Sequence, residues 1–282
     1  MKFVRMRRIA LNIMVLMLAV AVLTGCSGYN KIVKASDYNT KYNLAKSLFL
    51  EGRFTTCSSV LEECVVFQRG TAQAEESMYM LATCYYNLED YLSASQYFIA
   101  CYNSFPNSLY SENCLYFSGR SLFKDTPDPR LDATSTNNAI LQLQRFVETY
   151  PNSRFRADAE DMIYTMYDRL VEKEMGTAEL YYNMGNYLGN NYRSSIIVAQ
   201  NALRDYPYTK YREQLSMMVL RAKFRMAQES VLDKRDERYR DAIDEYYAFK
   251  NEFPESSYMK EADKIFRTST KNLGNKNQII ED

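Results

Sequence analysis

Large and small apolar positions recur through most of this chain at helical spacing, and they recur in pairs of helices. The stretch Glu75–Ser108 shows the pattern. Leu81, Tyr85, Tyr91 and Phe98 are its large positions, Ala82, Ala94 and Cys101 its small ones, and Pro106 closes it. Small side chains let two helices cross closely, and large ones fill the holes beside the crossing. The small position of the second helix returns as Cys57, Ala94, Ala139, Ser195 and Ala242. A closing aromatic–Pro–x–Ser/Thr returns at Phe105–Ser108, Tyr150–Ser153, Tyr206–Thr209 and Phe253–Ser256. The proline ends one helix, and the hydroxyl two residues later caps the next. The pattern predicts five helical hairpins in phase.

The unit resembles the tetratricopeptide repeat, a helix–turn–helix of about 34 residues. The fold class expected is all-α: a tetratricopeptide-repeat solenoid of five helical hairpins with an added helix and a C-terminal capping helix. Pro106, Pro151, Pro207 and Pro254 lie 45, 56 and 47 residues apart. Each excess over the repeat length predicts a longer connection or an extra helix. Repeat one spans about Asp37–Arg69, with Gly52 at its turn, and repeat two Glu75–Ser108. Repeat three starts near Glu112, with a loop from Lys124 to Asn137 and Ser135 or Thr136 capping its second helix. The added helix is expected over about Ser153–Glu174, and repeat four over Thr177–Pro207. Repeat five starts at Thr209 and turns at the charged segment Asp233–Tyr239; the capping helix runs from Ser256 to about Lys271. The expected divisions are 1–25 as a signal segment, 26–36 as a tether, 37–152, 153–272, and 273–282 as a flexible tail.

Ahead of the repeats the chain reads as an address. Lys2, Arg5, Arg7 and Arg8 form a basic head, and Ile9–Leu23 is apolar apart from Asn12. That run suits a signal segment and is short for a membrane span. Leu23-Thr24-Gly25-Cys26 follows and resembles the bacterial lipobox, which implies that Cys26 is lipidated and becomes the mature N-terminus. Ser27 behind it implies sorting to the outer membrane.

Composition narrows the chemistry. Glycine and proline number only 9 and 6 in 282 residues, which argues against a β fold. Without the four basic residues of the head, 31 basic residues remain against 35 acidic, so no basic field for nucleic acid is left. The chain has no histidine, which excludes Ser-His-Asp and Cys-His catalysis. No glycine-rich phosphate loop appears, and no metal, cofactor or enzymatic activity is expected. Cys57, Cys64, Cys84, Cys101 and Cys114 read as small core side chains, with one disulfide left open by export.

A more specific resemblance begins at Tyr150. Its marks are Tyr150–Ser153, Asp158-Ala159, Asp168-Arg169-Leu170, Ala178 to Tyr182 with its paired tyrosines, and Leu203-Arg204-Asp205-Tyr206-Pro207. Together with the lipobox these resemble the BamD family of outer membrane protein assembly lipoproteins; Tyr208 departs from the family pattern. The resemblance implies a lipid-anchored protein on the periplasmic face of the outer membrane. It also implies two partners, the periplasmic POTRA repeats of a BamA-like barrel insertase and unfolded outer membrane proteins that often end in an aromatic residue. The insertase is expected on the C-terminal half, where Arg204, Lys210, Arg212, Arg221, Lys223 and Arg225 supply charge for a polar rim or form an ordinary solvated face.

The repeat frame itself suggests the substrate site. The two first-helix positions expected to line the groove are filled by Tyr42 and Phe49, Tyr79 and Tyr86, and Tyr116 and Phe123 in repeats one to three. Residues seven apart share one helix face. The expectation is an aromatic ladder for unfolded barrel segments; the other reading is that these rings pack between hairpins. Two other functions suit such a chain: a scaffold for cell-envelope enzymes, and a glycan-binding lipoprotein that stacks sugars on tyrosines.

Overall fold

The computed structural model describes residues 37–68 and 70–274. The signal segment, Cys26, the tether to residue 36 and the tail beyond 274 lie outside the described residues. Among those described there are eleven α-helices and no strand. The chain divides into two compact units: one holds the residues up to Asp125 with Glu148–Ser153, and the other holds Thr126–Val147 and the residues from Arg154 on. The second helix of repeat three therefore counts mostly with the C-terminal unit rather than with repeats one to three.

The N-terminal unit contains α1 (Tyr38–Leu50), α2 (Phe54–Phe67), α3 (Ala74–Asn87), α4 (Tyr91–Ser104) and α5 (Ser111–Asp125), each packed on the next. Asp37 caps α1, accepting from the amides of Asn39 and Thr40. Gly52 turns the first hairpin at φ +71°, and Glu89 takes the same left-handed conformation in the second, at φ +63°. The small positions lie at the crossings: Ala45, Cys57, Ala82, Ala94 and Cys114 are fully buried. Beside them Leu61, Leu81 and Phe98 fill the space, each burial contributing roughly 2–3 kcal/mol. The five cysteines among the described residues are free, buried thiols.

The C-terminal unit contains α6 (Thr134–Thr149, its last two residues counted with the other unit), α7 (Arg156–Met184), α8 (Asn191–Asp205), α9 (Arg212–Gln228), α10 (Leu232–Glu252) and α11 (Met259–Gly274). From α7 on, each helix packs on its successor. Ala262 and Ile265 of α11 close the core over Met217, Leu220, Tyr246 and Phe249, as a capping helix must.

Three local expectations are corrected. The added helix and the first helix of repeat four are one 29-residue helix, α7. The junction near Gly176 contains no proline, and a lone glycine costs a helix only about 1 kcal/mol. The apolar stripe simply continues through Val171, Met175, Ala178 and Tyr182. The charged segment Asp233–Tyr239 is likewise not a turn but the start of α10; the chain reverses at Glu229–Val231. A run of charged residues without glycine or proline favours helix, and buried Tyr239 holds it down. Finally, the loop of repeat three shrinks to 126–133, and the amide of Thr134 is capped by Asp132 rather than by Ser135 or Thr136.

The recurring aromatic–Pro–x–Ser/Thr element does more than end a helix. Its hydroxyl donates to a carboxylate earlier in the repeat that it closes: Ser108 to Glu75, Ser153 to Glu112 (2.6 Å), Thr209 to Asp168 (2.7 Å) and Ser256 to Glu213. The same hydroxyl oxygen accepts from the amide two residues on at Tyr110, Tyr211 and Tyr258. Each clamp thus ties the start of one repeat to the end of its own second helix, and those at Ser108, Thr209 and Ser256 also reach the start of the next. Thr209→Val removes both bonds while keeping volume, and it leaves the half-buried Asp168 short of a donor. We expect a loss of about 1–2 kcal/mol in urea unfolding, with Thr209→Ser close to wild type.

Candidate functional site

The N-terminal unit carries an aromatic cluster. Tyr79 of α3 stacks on Tyr110 with centroids 4.5 Å apart and meets Phe98 of α4 edge-on at 6.0 Å. Tyr86, two turns on, meets Tyr91 at 5.5 Å and Phe117 of α5 at 5.4 Å, both edge-on. Phe117 stacks on Phe98, and the Arg120 guanidinium lies 5.9 Å from the rings of both Tyr116 and Phe117. On α1, Phe49 meets Phe54 edge-on at 5.9 Å. Such arrangements suit the ring quadrupole and fix the rings' orientation.

The six ladder positions do not share one environment. Tyr42 and Tyr116 are buried, at 7% and 1% exposure, so the expectation of six open rings is corrected for these two. Tyr42 bonds Glu76 and packs in the first core, while Tyr116 lies under Arg120. Phe49, Tyr79, Tyr86 and Phe123 are half-buried, each presenting part of a ring to solvent. Tyr91, expected only as a large packing position, joins the cluster, as do Tyr97, Tyr110 and Phe117, which were not singled out from the sequence. Their signal was composition, since Tyr85 and Tyr97 stack at 5.2 Å simply because one tyrosine follows another into the next helix.

Polar groups frame the cluster. Glu76 accepts from the Tyr42 hydroxyl and from Lys46 Nζ, the latter 2.8 Å away. Burial works to raise the carboxyl's pKa, but the bonds from Lys46 and Tyr42 outweigh it and hold Glu76 below its ordinary value. Burial raises Tyr42 above the usual phenol range, with the Glu76 carboxylate adding to the effect.

In the C-terminal unit the cations expected to form a polar rim are mostly neutralised within the chain. Arg204 pairs with Asp205 (2.9 Å), Lys210 with Asp168 (3.4 Å), and Arg212 with Glu252. Arg221 holds Glu261 through two bonds of 2.7 and 2.6 Å, and Lys223 holds Glu245 at 2.6 Å. Arg225 has the Tyr182 hydroxyl beside it. These pairs link neighbouring helices: α9 to α10 through Arg212 and Lys223, α9 to α11 through Arg221. Asp168 and Arg169 tie irregular segments to α7. Asp168 accepts from Thr209 and from the Lys210 amide, and Arg169 donates to Thr126 at the head of the 126–133 loop.

Helical hairpins, phased small residues and clamped loops define a tetratricopeptide-type helical scaffold, with an aromatic cluster on one unit and a set of paired charges on the other. The family model of YfiO, described as outer membrane lipoprotein, matches residues 34–221, and the chain belongs to this family. The match reaches from before α1 into α9 and leaves α10 and α11 beyond it. The chain is 25% identical over 179 residues to a Haemophilus influenzae protein named outer membrane protein assembly factor BamD, covering 58% of this chain and 67% of that protein. A Caulobacter vibrioides protein of the same name is 23% identical over 178 residues, covering 61% of this chain and 57% of that one.

The Glu76 contacts have a pH signature. A carboxyl depressed in the folded state contributes stability above its unfolded value and loses it as pH falls through the folded value. The melting-temperature gap between wild type and Glu76→Gln is therefore expected to be open at neutral pH. It closes only below the ordinary carboxyl value of 4.5. Differential scanning calorimetry at stepped pH reads this directly.

Proposed function

We propose that this chain is a lipid-anchored adaptor of outer-membrane protein assembly, held at the periplasmic face through Cys26. The observation that carries the reading is the family match running through both units, joined by two curated relatives named for outer membrane protein assembly. In this reading the N-terminal unit receives unfolded barrel segments on the part-open rings of Phe49, Tyr79, Tyr86 and Phe123. Apolar and aromatic contact tolerates a varied clientele better than fixed hydrogen-bond readout does. The C-terminal unit docks a BamA-like insertase through its periplasmic repeats. Because Arg204, Lys210, Arg212, Arg221 and Lys223 are already paired, docking there exchanges ion pairs rather than adding them, and each such charge contributes modestly.

Affinity purification of the tagged protein from detergent-solubilised outer membranes tests the adaptor reading. A barrel insertase is expected to copurify, and Cys26→Ser is expected to leave the membrane fraction. Recovery from membranes with no insertase overturns the reading.

The ring reading has its own test, because alanine at these positions removes packing as well as contact area. Tyr79→Leu with Tyr86→Leu keeps most of the volume and removes the aromatic faces. Affinity for a peptide with an aromatic end is expected to fall several-fold, while melting temperature shifts by a few degrees. Unchanged affinity with the same shift would mean that the rings only hold the hairpins together.

A further inference from the structure

A recess lies in the C-terminal unit. It is a cavity of about 400 Å³ lined by the end of α7, the second half of α9 and the middle of α11. Its apolar lining comes from Phe224 and Ile265, with the Tyr182 ring on a third side. Its charges do not balance. Arg221 and Glu261 neutralise each other through their paired bonds, and Arg221 is further fixed over the Tyr258 ring at 5.3 Å. Arg225 and Lys264, both exposed, remain on the rim. Among the described residues neither takes part in an ion pair. Arg225 has the Tyr182 hydroxyl beside it and feels Tyr192 and the Glu229 carboxylate through space, and Lys264 acts on Glu261 through space. The recess thus offers a net charge of two positive beside an apolar lining, in a chain whose mature composition is slightly acidic.

We propose that this recess is a docking site for an extended peptide segment of a partner protein, one that places an aspartate or glutamate beside a large apolar side chain. The volume takes one large side chain and a carboxylate, not a folded domain. The apolar group lies against Phe224 and Ile265, and the carboxylate sits between Arg225 and Lys264, where two donors can reach it together. Partial burial beside the rings strengthens that pairing over a fully solvated one. The Arg221–Glu261 pair serves as a fixed wall: its bidentate geometry keeps α9 and α11 at the separation that leaves the recess open. Phe224, Arg225, Glu261, Lys264 and Ile265 all lie beyond residue 221, where the family match stops. The site is independent of the aromatic cluster and of which protein the adaptor serves.

The test uses the full-length protein in a non-ionic detergent and a fluorescent hexapeptide, Gly-Ser-Asp-Phe-Ser-Gly, read by anisotropy. Replacing its Asp by Asn, or its Phe by Ala, is expected to weaken binding about ten-fold, the equivalent of about 1.4 kcal/mol. Arg225→Glu with Lys264→Glu is expected to lose the Asp peptide and to prefer a peptide with Lys in its place, with no change in melting temperature. Tyr79→Leu with Tyr86→Leu is expected to leave this binding untouched, which separates it from the groove reading. Three results overturn the proposal. They are equal binding of the Asp and Asn peptides, wild-type affinity in the double reversal, and binding of phosphatidylglycerol micelles at Arg225 and Lys264 with no peptide binding there, which would make the recess a lipid-headgroup site.

Discussion

Everything in this fold hangs on how one hairpin is fixed to the next, and the hydroxyl–carboxylate clamp sets that relation. Helix crossings in a repeat stack bury small residues, and small residues alone leave the crossing angle soft. A serine or threonine that bonds a carboxylate 33 to 43 residues earlier removes that freedom at the repeat's end. Three of the four carboxylates, Glu75, Glu112 and Glu213, lie in the first turn of a helix, where the helix dipole favours negative charge. The clamp therefore satisfies a helix start, a loop hydroxyl and the next helix's amide together. In the first repeat the hydroxyl at this place, on Thr71, donates instead to the Gln68 carbonyl at 2.8 Å, and an amide pair makes the link: Gln73 donates to Asn39 at 2.7 Å, across 34 residues.

The fourth carboxylate shows how the clamp survives an insertion. Asp168 sits in the middle of α7, not at its start. The stretch of α7 that packs on α8 begins just beyond it, at Val171. The repeat thus keeps its register inside a longer helix, and the residues before Asp168 are the insertion. This explains why a sequence block with Asp168-Arg169 is informative. One residue marks where a repeat begins, and its neighbour reaches Thr126 to hold down the only loop with two prolines.

Fold class, hairpin count and the closing motif were legible in the sequence because each rests on a local rule: small residues at crossings, proline at a helix end, a hydroxyl at a cap. What was not legible involved the absence of a breaker. Gly176 and the charged run after Asp233 looked like interruptions, yet helix propensity and a continuous buried stripe carried α7 and α10 straight through. The aromatic positions were legible as a face, not as a depth. Periodicity places Tyr42, Tyr79 and Tyr116 at one position of the repeat, but exposure depends on the neighbouring hairpin. Tyr116 is covered, while Tyr79 keeps part of its ring open against Tyr110. The paired state of Arg212, Arg221 and Lys223 was invisible for the same reason, since each partner lies 22 to 40 residues away.

The two units solve different physical problems with similar scaffolds. In the N-terminal unit, rings pack between hairpins beside the Lys46–Glu76 pair, and the part-open rings are polarisable and suited to contacts that need no fixed partner atom. In the C-terminal unit, ion pairs join α9 to α10 and to α11, and an ion pair demands its partner. Opening one exposes both members to solvent at little cost, because pairs this exposed are individually weak. A surface built from such pairs binds weakly and exchangeably unless some position carries charge that is not already answered. That constraint makes the imbalance at Arg225 and Lys264 more consequential than the number of cations around it. In a lattice of ion pairs, the cations left outside any pair are the ones free to take a new partner without breaking an old one.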